Sequence, residues 1–165
     1  MIRKAERKDL PYILDIYNDA ILNTTAVYTY DPQSLEERET WFETKILANE
    51  PIFVFEIDNK VAGFATYGQF RNWPAYLYSI EHSIYVSKDY RGRGVASHLL
   101  QHLIGDAKRR QYRTIVAGID ASNEASIKLH EKFNFEHAGT IKNVGYKFER
   151  WLDLAFYQYD LNTDK

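Results

Sequence analysis

The segment from Val86 to Ala96 constrains this chain most, because it predicts a strand joined to a helix through a basic turn that contains two glycines. Glycines let the backbone curl until successive N–H groups point to one spot. A helix N-terminus adds about half a positive charge at the same place. With Lys88, Arg91 and Arg93 beside it, this turn is predicted to hold a pyrophosphate group.

Several interpretations of the turn compete. A Walker P-loop requires Gly-Lys-Ser/Thr at its end, whereas the chain continues as Gly94-Val95-Ala96. A Rossmann turn for a nicotinamide cofactor is a closer match, because Asp120 ends the next predicted strand. Ser97, however, occupies the third glycine position, and four strands precede the turn. A solvated basic turn without a ligand is the remaining alternative.

The hydrophobic pattern predicts a mixed α/β domain with the element order ααββββαβαββ after a short first strand. Asp9 is predicted to cap the first helix, and Ser34 with Glu37 forms a capping box that opens the second. Strands are expected at 52–57, 61–67, 78–86 and 114–119, and helices at 95–110 and 123–133. Two final strands are expected within 139–161.

Composition limits the class of protein. The 165 residues suggest one domain, 1–165, and 21 basic against 23 acidic side chains argue against a nucleic-acid or anionic-membrane partner. With no cysteine, disulfides, thiolate metal sites and a cysteine nucleophile are excluded. No membrane span or signal segment is evident, so we expect a cytoplasmic protein without a metal. The 15% of aromatic residues, 13 of them Tyr, exceed the need of a core and suggest a polar pocket or an interface.

Two blocks of sequence resemble the GNAT superfamily of N-acetyltransferases. The segment Arg91-Gly92-Arg93-Gly94-Val95-Ala96 resembles its acetyl-CoA signature, R/Q-x-x-G-x-G/A. Residues 123–135, Asn-Glu-Ala-Ser-Ile-Lys-Leu-His-Glu-Lys-Phe-Asn-Phe, are similar to the family pattern N-x-x-A-x-x-L-Y-x-K-x-G-F. The resemblance covers nearly the whole chain and implies a single-domain GNAT fold, in which about four helices flank a mixed, mostly antiparallel central sheet.

Further segments are similar to phosphinothricin and methionine sulfoximine N-acetyltransferases, and they lie at 23–26, 30–32, 68–71, 78–87, 128–131, 145–148 and 151–153. This likeness implies a homodimer that transfers acetyl from acetyl-CoA to the α-amine of a small amino acid or analogue, by direct attack in a ternary complex. Asn134 replaces the usual Gly, which Asn tolerates at a helix end. His130 replaces the Tyr that usually protonates the CoA thiolate, so the general acid stays open.

Three residues are candidates for chemistry at the acceptor. The resemblance favours Glu81 as the base that deprotonates the amine, although a solvated strand Glu fits the residues alone equally well. His130 is expected beside the thioester as an acid or relay, whereas a lone helical His is usually structural. Arg71 is the candidate anchor for a substrate carboxylate or phosphinate, with a surface Arg as the even alternative.

The remaining candidates would bind the two substrates. Backbone N–H groups from Arg91 to Ala96 would hold the pyrophosphate, and the strand edge at Ile84, Tyr85 and Val86 would pair with the pantetheine amides. The Val86 N–H is expected to polarise the thioester carbonyl. Asn123 and Ser126 would face the pantetheine arm. Aromatic and basic side chains that would complete the amine pocket, unless they belong to the core or a dimer interface, are Tyr28, Tyr30, Trp73, Tyr78 and Lys147.

Three other functions stay open at this point. The same fold acetylates peptide or protein N-termini, but the long segment from Asn23 to Pro32 favours a closed pocket and hence a small substrate. A non-catalytic sensor of acyl-CoA would keep the binding residues without turnover. A nicotinamide-binding protein would retain only the glycine turn.

Overall fold

The observed elements follow the predicted ones closely. A computed structural model describes residues 1–162, and the predicted boundaries lie within two residues of the observed ones, except that the last pair of strands begins at 136 rather than 139. Residue 165, the predicted domain end, lies outside the described residues. The elements are β1 (Ile2–Lys4), α1 (Leu10–Asn23), α2 (Leu35–Leu47), β2 (Ile52–Ile57), β3 (Lys60–Gln69), β4 (Ser79–Val86), α3 (Val95–Arg109), β5 (Thr114–Asp120), α4 (Glu124–Lys132), β6 (Glu136–Lys147) and β7 (Arg150–Asp160).

Two local predictions were wrong. Three strands rather than the four of the predicted order lie between α2 and α3, and they occupy the three predicted ranges 52–57, 61–67 and 78–86. Asp9 does not cap α1. Its carboxylate accepts hydrogen bonds from the Arg3 guanidinium at 2.8 and 2.9 Å and from the Glu6 N–H at 2.7 Å. A charged, bidentate partner outweighs a helix cap, so Asp9 joins β1 to the entry of α1.

The sheet explains where a cleft can form. Its seven strands within residues 1–162 lie in the order β1-β2-β3-β4-β5-β7-β6, and every neighbouring pair is antiparallel except β4 with β5. This confirms the mixed, mostly antiparallel sheet. The parallel pair is short, because its register runs only from Ser79↔Thr114 to Glu81↔Val116. Beyond Glu81 the two strands part, and the sheet is open between them.

Helices cover both faces of the sheet. The apolar stripe of α3 is buried at Leu99, Leu100, Leu103 and Ala107, where it packs with Ala65, Tyr67 and Ile115 of the sheet. On the other face, α1 and α2 bury Leu10, Ile13 and Phe42 against Val54 and Phe64. Full burial of one such aliphatic or aromatic side chain stabilises the fold by ~1.5–3 kcal/mol. These two layers hold β3 and β4 rigidly beside the open part of the sheet.

In the described part of the chain, no helix has the length and apolar character that a membrane crossing requires.

Candidate active site

A cavity of about 1000 Å³ occupies the gap where β4 and β5 part. The residues after the last β4–β5 pair form two of its walls, and the start of α4 and the loop after α1 form the others. Its lining includes Thr24, Thr25, Tyr28, Lys45, Glu81, His82, Ile84, Tyr85, Val86, Arg91, Ala96, Gly118, Asp120, Asn123, Ser126 and His130. Glu81, His130, Asn123 and Ser126, which the sequence singled out separately, therefore share one cavity.

The glycine turn has the geometry of an anion cradle. Gly92 and Gly94 have φ angles of 76° and 78°, in the left-handed region that residues other than Gly and Asn mostly avoid. Gly94 directly precedes the first turn of α3. The N–H groups of Gly92, Arg93 and Gly94 donate no hydrogen bond to any described residue. Free donors at a helix N-terminus fit a pyrophosphate.

The two arginine side chains of the turn contact neighbouring side chains. The Arg91 guanidinium lies 3.5 Å from the Asp19 carboxylate of α1, and its side chain reaches the cavity wall. Arg93 is exposed and lies over the Tyr90 ring, 5.3 Å from its centroid. Val95, at the start of α3, is buried in the core, so only its backbone can serve a ligand.

The inner edge of β4 offers backbone groups to the cavity. Ile84, Tyr85 and Val86 pair with β3 on one side and line the cavity on the other. The Tyr85 ring packs edge-on against Tyr17 of α1, with centroids 5.4 Å apart. Burial, together with Tyr17, raises the pKa of Tyr85 to about 12, so this phenol stays neutral. An unpaired strand edge in a cleft can pair with the amides of a ligand.

The N-terminus of α4 supplies a second set of polar groups. The Asn123 side-chain oxygen caps the helix by accepting the Ser126 N–H at 3.2 Å. The cap uses the carbonyl of the side chain, and the amide N–H₂ makes no hydrogen bond to another described residue. Both side chains line the cavity, opposite the edge of β4. Asn123 can therefore donate to a ligand carbonyl without losing its structural role.

Glu81 is the carboxylate best placed for acid–base work. It belongs to the last parallel pair, where β4 and β5 begin to part, and its side chain is 36% exposed. Burial raises the pKa of Glu81, and the nearby Arg71, with a nitrogen–oxygen distance of 3.9 Å, acts in the opposite direction. A raised pKa makes a carboxylate a stronger proton acceptor at neutral pH. Gly118 on β5 faces the same carboxylate.

Arg71 lies beside Glu81 but is not one of the residues that line the cavity. Its guanidinium donates to the Phe70 carbonyl oxygen at 2.7 Å, lies over the Phe70 ring and is half exposed. The structure does not bring Trp73 and Tyr78 to the cavity wall, because both flank the turn at Pro74–Tyr76 and are 68% and 61% exposed. Of the predicted aromatic pocket residues, only Tyr28 lines the cavity.

Lys147 has a different place from the predicted one. Its side chain is buried, and its ammonium donates to the carbonyl oxygens of Thr24 and Val27, each at 2.7 Å. Burial lowers the pKa of Lys147. Tyr30, from the same loop, donates from its hydroxyl to the Tyr146 carbonyl oxygen. These bonds fix the loop after α1 to the end of β6, so Lys147 holds the wall rather than facing the cavity.

Asp120 and His82 also line the cavity, although neither is among the catalytic or binding residues that the resemblance implies, and Asp120 was considered only as the acidic residue of a Rossmann turn. Asp120 ends β5 and accepts hydrogen bonds from the Thr25 hydroxyl and from the Ser122 N–H and hydroxyl. Burial acts to raise the pKa of Asp120, but these donors and Arg150 outweigh it and lower the pKa. The position of an acidic residue at the end of a buried strand was the available signal.

His82 and His130 form a buried pair. Their Nε2 atoms are 3.0 Å apart and their ring planes differ by 3°. His130 Nδ1 lies 2.7 Å from the Ser126 carbonyl oxygen. Burial, and secondarily His130, lowers the pKa of His82 to about 3, and burial also lowers the pKa of His130. Within residues 1–162, no cluster of three His, Cys, Asp or Glu side chains has the arrangement of a metal site.

The sequence of this chain is similar to those of known acetyltransferases. The model of the acetyltransferase (GNAT) family matches residues 13–135. The L-methionine sulfoximine/L-methionine sulfone acetyltransferase of Pseudomonas aeruginosa PAO1 is 44% identical over 165 residues, which cover 99% of this chain and 96% of that protein.

Solved structures agree with the sequence relatives. An N-acetyltransferase from Staphylococcus aureus Mu50 superposes with a TM-score of 0.97 and is 68% identical, covering 98% of each chain. A phosphinothricin acetyltransferase from Sinorhizobium meliloti, solved in complex with acetyl-CoA, superposes with a TM-score of 0.95 at 36% identity, over 100% of this chain and 91% of that one.

Proposed function

The chain belongs to the GNAT acetyltransferase family and is an acetyl-CoA-dependent N-acetyltransferase, and from this premise we propose that its acceptor is the α-amine of a small amino acid or analogue. The distance of 3.9 Å between Arg71 and Glu81 carries the proposal. An amino acid bears its amine and its carboxylate on one carbon. A base and a guanidinium side by side match that spacing.

Glu81 acts as the base in the proposed reaction. The substrate ammonium gives one proton to the Glu81 carboxylate, directly or through a water, and the free amine attacks the thioester carbon. The carbon–nitrogen bond forms, the carbon–sulfur bond breaks, and CoA leaves as a thiolate. The nitrogen loses its second proton, and the sum is an amide, a thiol and one released proton. We propose that the attack occurs directly in a ternary complex.

The residues that would hold acetyl-CoA follow from the free polar groups of the cavity. The N–H groups from Arg91 to Ala96 would bind the pyrophosphate, and the edge at Ile84, Tyr85 and Val86 would pair with the pantetheine amides. The Val86 N–H would polarise the thioester carbonyl, and Asn123 and Ser126 would contact the arm.

His130 is the second titratable group that we propose beside the thioester. Both of its nitrogens are already engaged, by His82 and by the Ser126 carbonyl oxygen. We therefore propose that His130 shapes the cavity wall in the resting enzyme and takes part in proton transfer only after this pair rearranges.

The loop after α1 supports a small acceptor rather than a peptide. Thr25 donates to Asp120, and Lys147 binds the loop carbonyls, so the loop is fixed across one end of the cavity. A peptide chain needs an open trough at that place. Among small acceptors we propose methionine sulfoximine, methionine sulfone and phosphinothricin-like amino acids as the substrate class, since the relatives act on such compounds.

A thiol-release assay tests the proposal. The protein is mixed with acetyl-CoA and, separately, with proteinogenic amino acids, methionine sulfoximine, methionine sulfone, phosphinothricin and short peptides. Release with the small amino acids and little with peptides is expected. No release with any small amine overturns the substrate class, and release with peptides alone favours N-terminal acetylation. Glu81→Gln should bind CoA with native affinity while turnover falls, whereas a sensor has no turnover to lose.

The role of Arg71 is tested by substitution. Arg71→Ala should raise the KM for carboxylate-bearing amines by about 10–100-fold, because a hydrogen bond to a charged group contributes ~1.5–3 kcal/mol. Arg113→Ala is the matched control, since Arg113 is equally exposed and pairs with Asp160 away from the cavity. An unchanged KM in Arg71→Ala would remove Arg71 from substrate binding.

We propose that two copies associate through the last hairpin and that the enzyme works in the cytoplasm. β6 is an edge strand of 12 residues, and large apolar side chains around it are exposed, at Ile141, Val144, Tyr146, Phe148 and Trp151. An edge strand can pair with its own copy about a twofold axis. Light scattering should give a dimer mass that Val144→Lys reduces to that of a monomer; a monomeric native protein contradicts the proposal.

Acetyl-CoA is an intracellular metabolite, and cell fractionation checks the location.

A further inference from the structure

The contacts of the His82–His130 pair determine where its protons lie. A carbonyl oxygen only accepts hydrogen bonds, so the His130 nitrogen 2.7 Å from the Ser126 carbonyl carries a proton. In a neutral His130 the other nitrogen, Nε2, is then an acceptor. His82 Nε2 lies 3.0 Å from it and must be the donor. In a neutral His82, Nδ1 is therefore left without a proton.

The environment of His82 Nδ1 agrees with this assignment. This nitrogen is buried and has no hydrogen-bond partner among the described residues. A buried acceptor without a partner costs less than two lone pairs facing each other at 3.0 Å, which the opposite tautomer of His82 would create. A proton added to the pair must end on that Nδ1, where no acceptor receives it.

No charged partner compensates for an added proton. The edges of both rings meet Phe135, whose other neighbour is Tyr159. The register partner of His82 on β3 is Tyr67, and the Tyr67 hydroxyl is engaged with Asp106 at 2.6 Å. Glu81 precedes His82 on β4 and points to the opposite face of the sheet, as strand geometry requires. Neither imidazole ring is hydrogen-bonded to a carboxylate within residues 1–162.

We propose that His82 is a positioning residue that fixes His130 in its Nδ1–H tautomer and keeps it from taking up a proton at neutral pH. The inference rests on the proposed function only for its catalytic consequence. With His130 locked in this way, the wall beside the thioester is uncharged, and the pH dependence of acetyl transfer is set by Glu81. Release of the lock would allow His130 to titrate as an ordinary histidine.

Nitrogen NMR of the imidazole rings in the full-length protein tests the assignment without any substrate. The expected pattern is a proton on Nδ1 of His130 and on Nε2 of His82, unchanged from about pH 8 to about pH 6, where a free histidine titrates. A proton on Nε2 of His130, or an imidazolium on either ring at about pH 7, overturns the proposal. Because no turnover is measured, this outcome is independent of whether the substrate class is right.

Two variants test the control that His82 exerts. His82→Phe removes the N–H that stabilises neutral His130, so the pKa of His130 should rise by about 0.5–1, the equivalent of one ordinary hydrogen bond. The acid limb of kcat should move to higher pH with it. His82→Gln places an amide N–H near the same point and should restore the native behaviour.

His137→Phe is the control for a lost exposed histidine, since His137 lies on β6 and contacts Thr140 outside the cavity. It should leave the His130 signal and the pH profile unchanged. If His82→Phe leaves the pKa of His130 unaltered, or if His82→Gln behaves as His82→Phe does, His82 has no such role. If His82→Phe does not fold, the native spectrum and His82→Gln still decide the question.

Discussion

Gly118 lies on β5 just beyond the point where β5 parts from β4, and its lack of a side chain leaves room for the Glu81 carboxylate. A Cβ at this position would lie 3.2 Å from Glu81 Oε2, 3.5 Å from Leu154 Cδ1 and 3.8 Å from Phe156. The last two distances are ordinary van der Waals contacts. Its φ angle is outside the left-handed region, so the backbone accepts alanine. Gly118→Ala therefore displaces one group in particular, the proposed base.

The size of the effect follows from that contact. The carboxylate must move by a few tenths of an ångström, and since a misplacement of about 1 Å costs about 100-fold in rate, a fall in kcat of about 3–10-fold is expected. The free energy of unfolding should hardly change, because alanine in a strand gains ~0.5–1 kcal/mol over glycine, which offsets the close contact. The acid limb of the pH profile should move upward, since the new methyl group further desolvates Glu81.

Steady-state thiol release over a range of pH, with a thermal melt of each protein, measures these quantities. Gly139→Ala is the matched control, because a Cβ at that position of β6 meets nothing within 4 Å. CoA affinity should be the same in both variants. A Gly118→Ala enzyme with native kcat and a native pH profile would refute the argument that the position of Glu81 over β5 matters for proton transfer.

Three further predictions concern Glu81, Lys147 and Asp9. Because burial raises the pKa of Glu81, acetyl transfer should fall as the pH is lowered through a value above the ordinary ~4.3, and an unshifted acid limb would contradict this. Lys147→Met leaves two loop carbonyls without a donor, so the KM for the amine should rise severalfold and the free energy of unfolding should fall by ~1–3 kcal/mol, with CoA affinity as the unaffected control. Burial acts to raise the pKa of Asp9, but Arg3 outweighs it and the net pKa is lowered. The resulting stability is present above the ordinary value of ~3.9 and is lost as the pH falls through the lower folded value; urea titrations of Asp9→Asn should lack this dependence.

Local patterns predicted the fold because most of the elements carry a clear periodicity or boundary residue. The α3 stripe at Leu99 and Leu103 is buried as its spacing requires. Asn134, which replaces the usual glycine after α4, has a φ of 70°, in the left-handed region. Asp9 failed as a cap because a better partner, Arg3, comes from a strand that local pattern cannot place beside it.

The candidate site was predictable only where its residues follow from strand and helix geometry. Asn123, Ser126 and His130 lie on one helix face, and the structure places all three on the cavity wall. Lys147 could not be assigned, because its acceptors are backbone carbonyls more than a hundred residues away. The pairing of His82 with His130 is equally hidden, since it depends on where α4 packs relative to β4.

The bonds that fix the loop after α1 join parts of the chain that are far apart in sequence. Lys147 is 123 residues from Thr24, and Tyr28 is 125 residues from Asp153, whose carbonyl oxygen accepts a hydrogen bond from the Tyr28 hydroxyl. During synthesis the loop leaves the ribosome long before β6 and β7 exist, and contacts of such sequence separation form slowly. We therefore expect the acceptor side of the cleft to become native later than the glycine turn. A nascent chain that ends before residue 136 would carry the glycine turn but no fixed place for the amine.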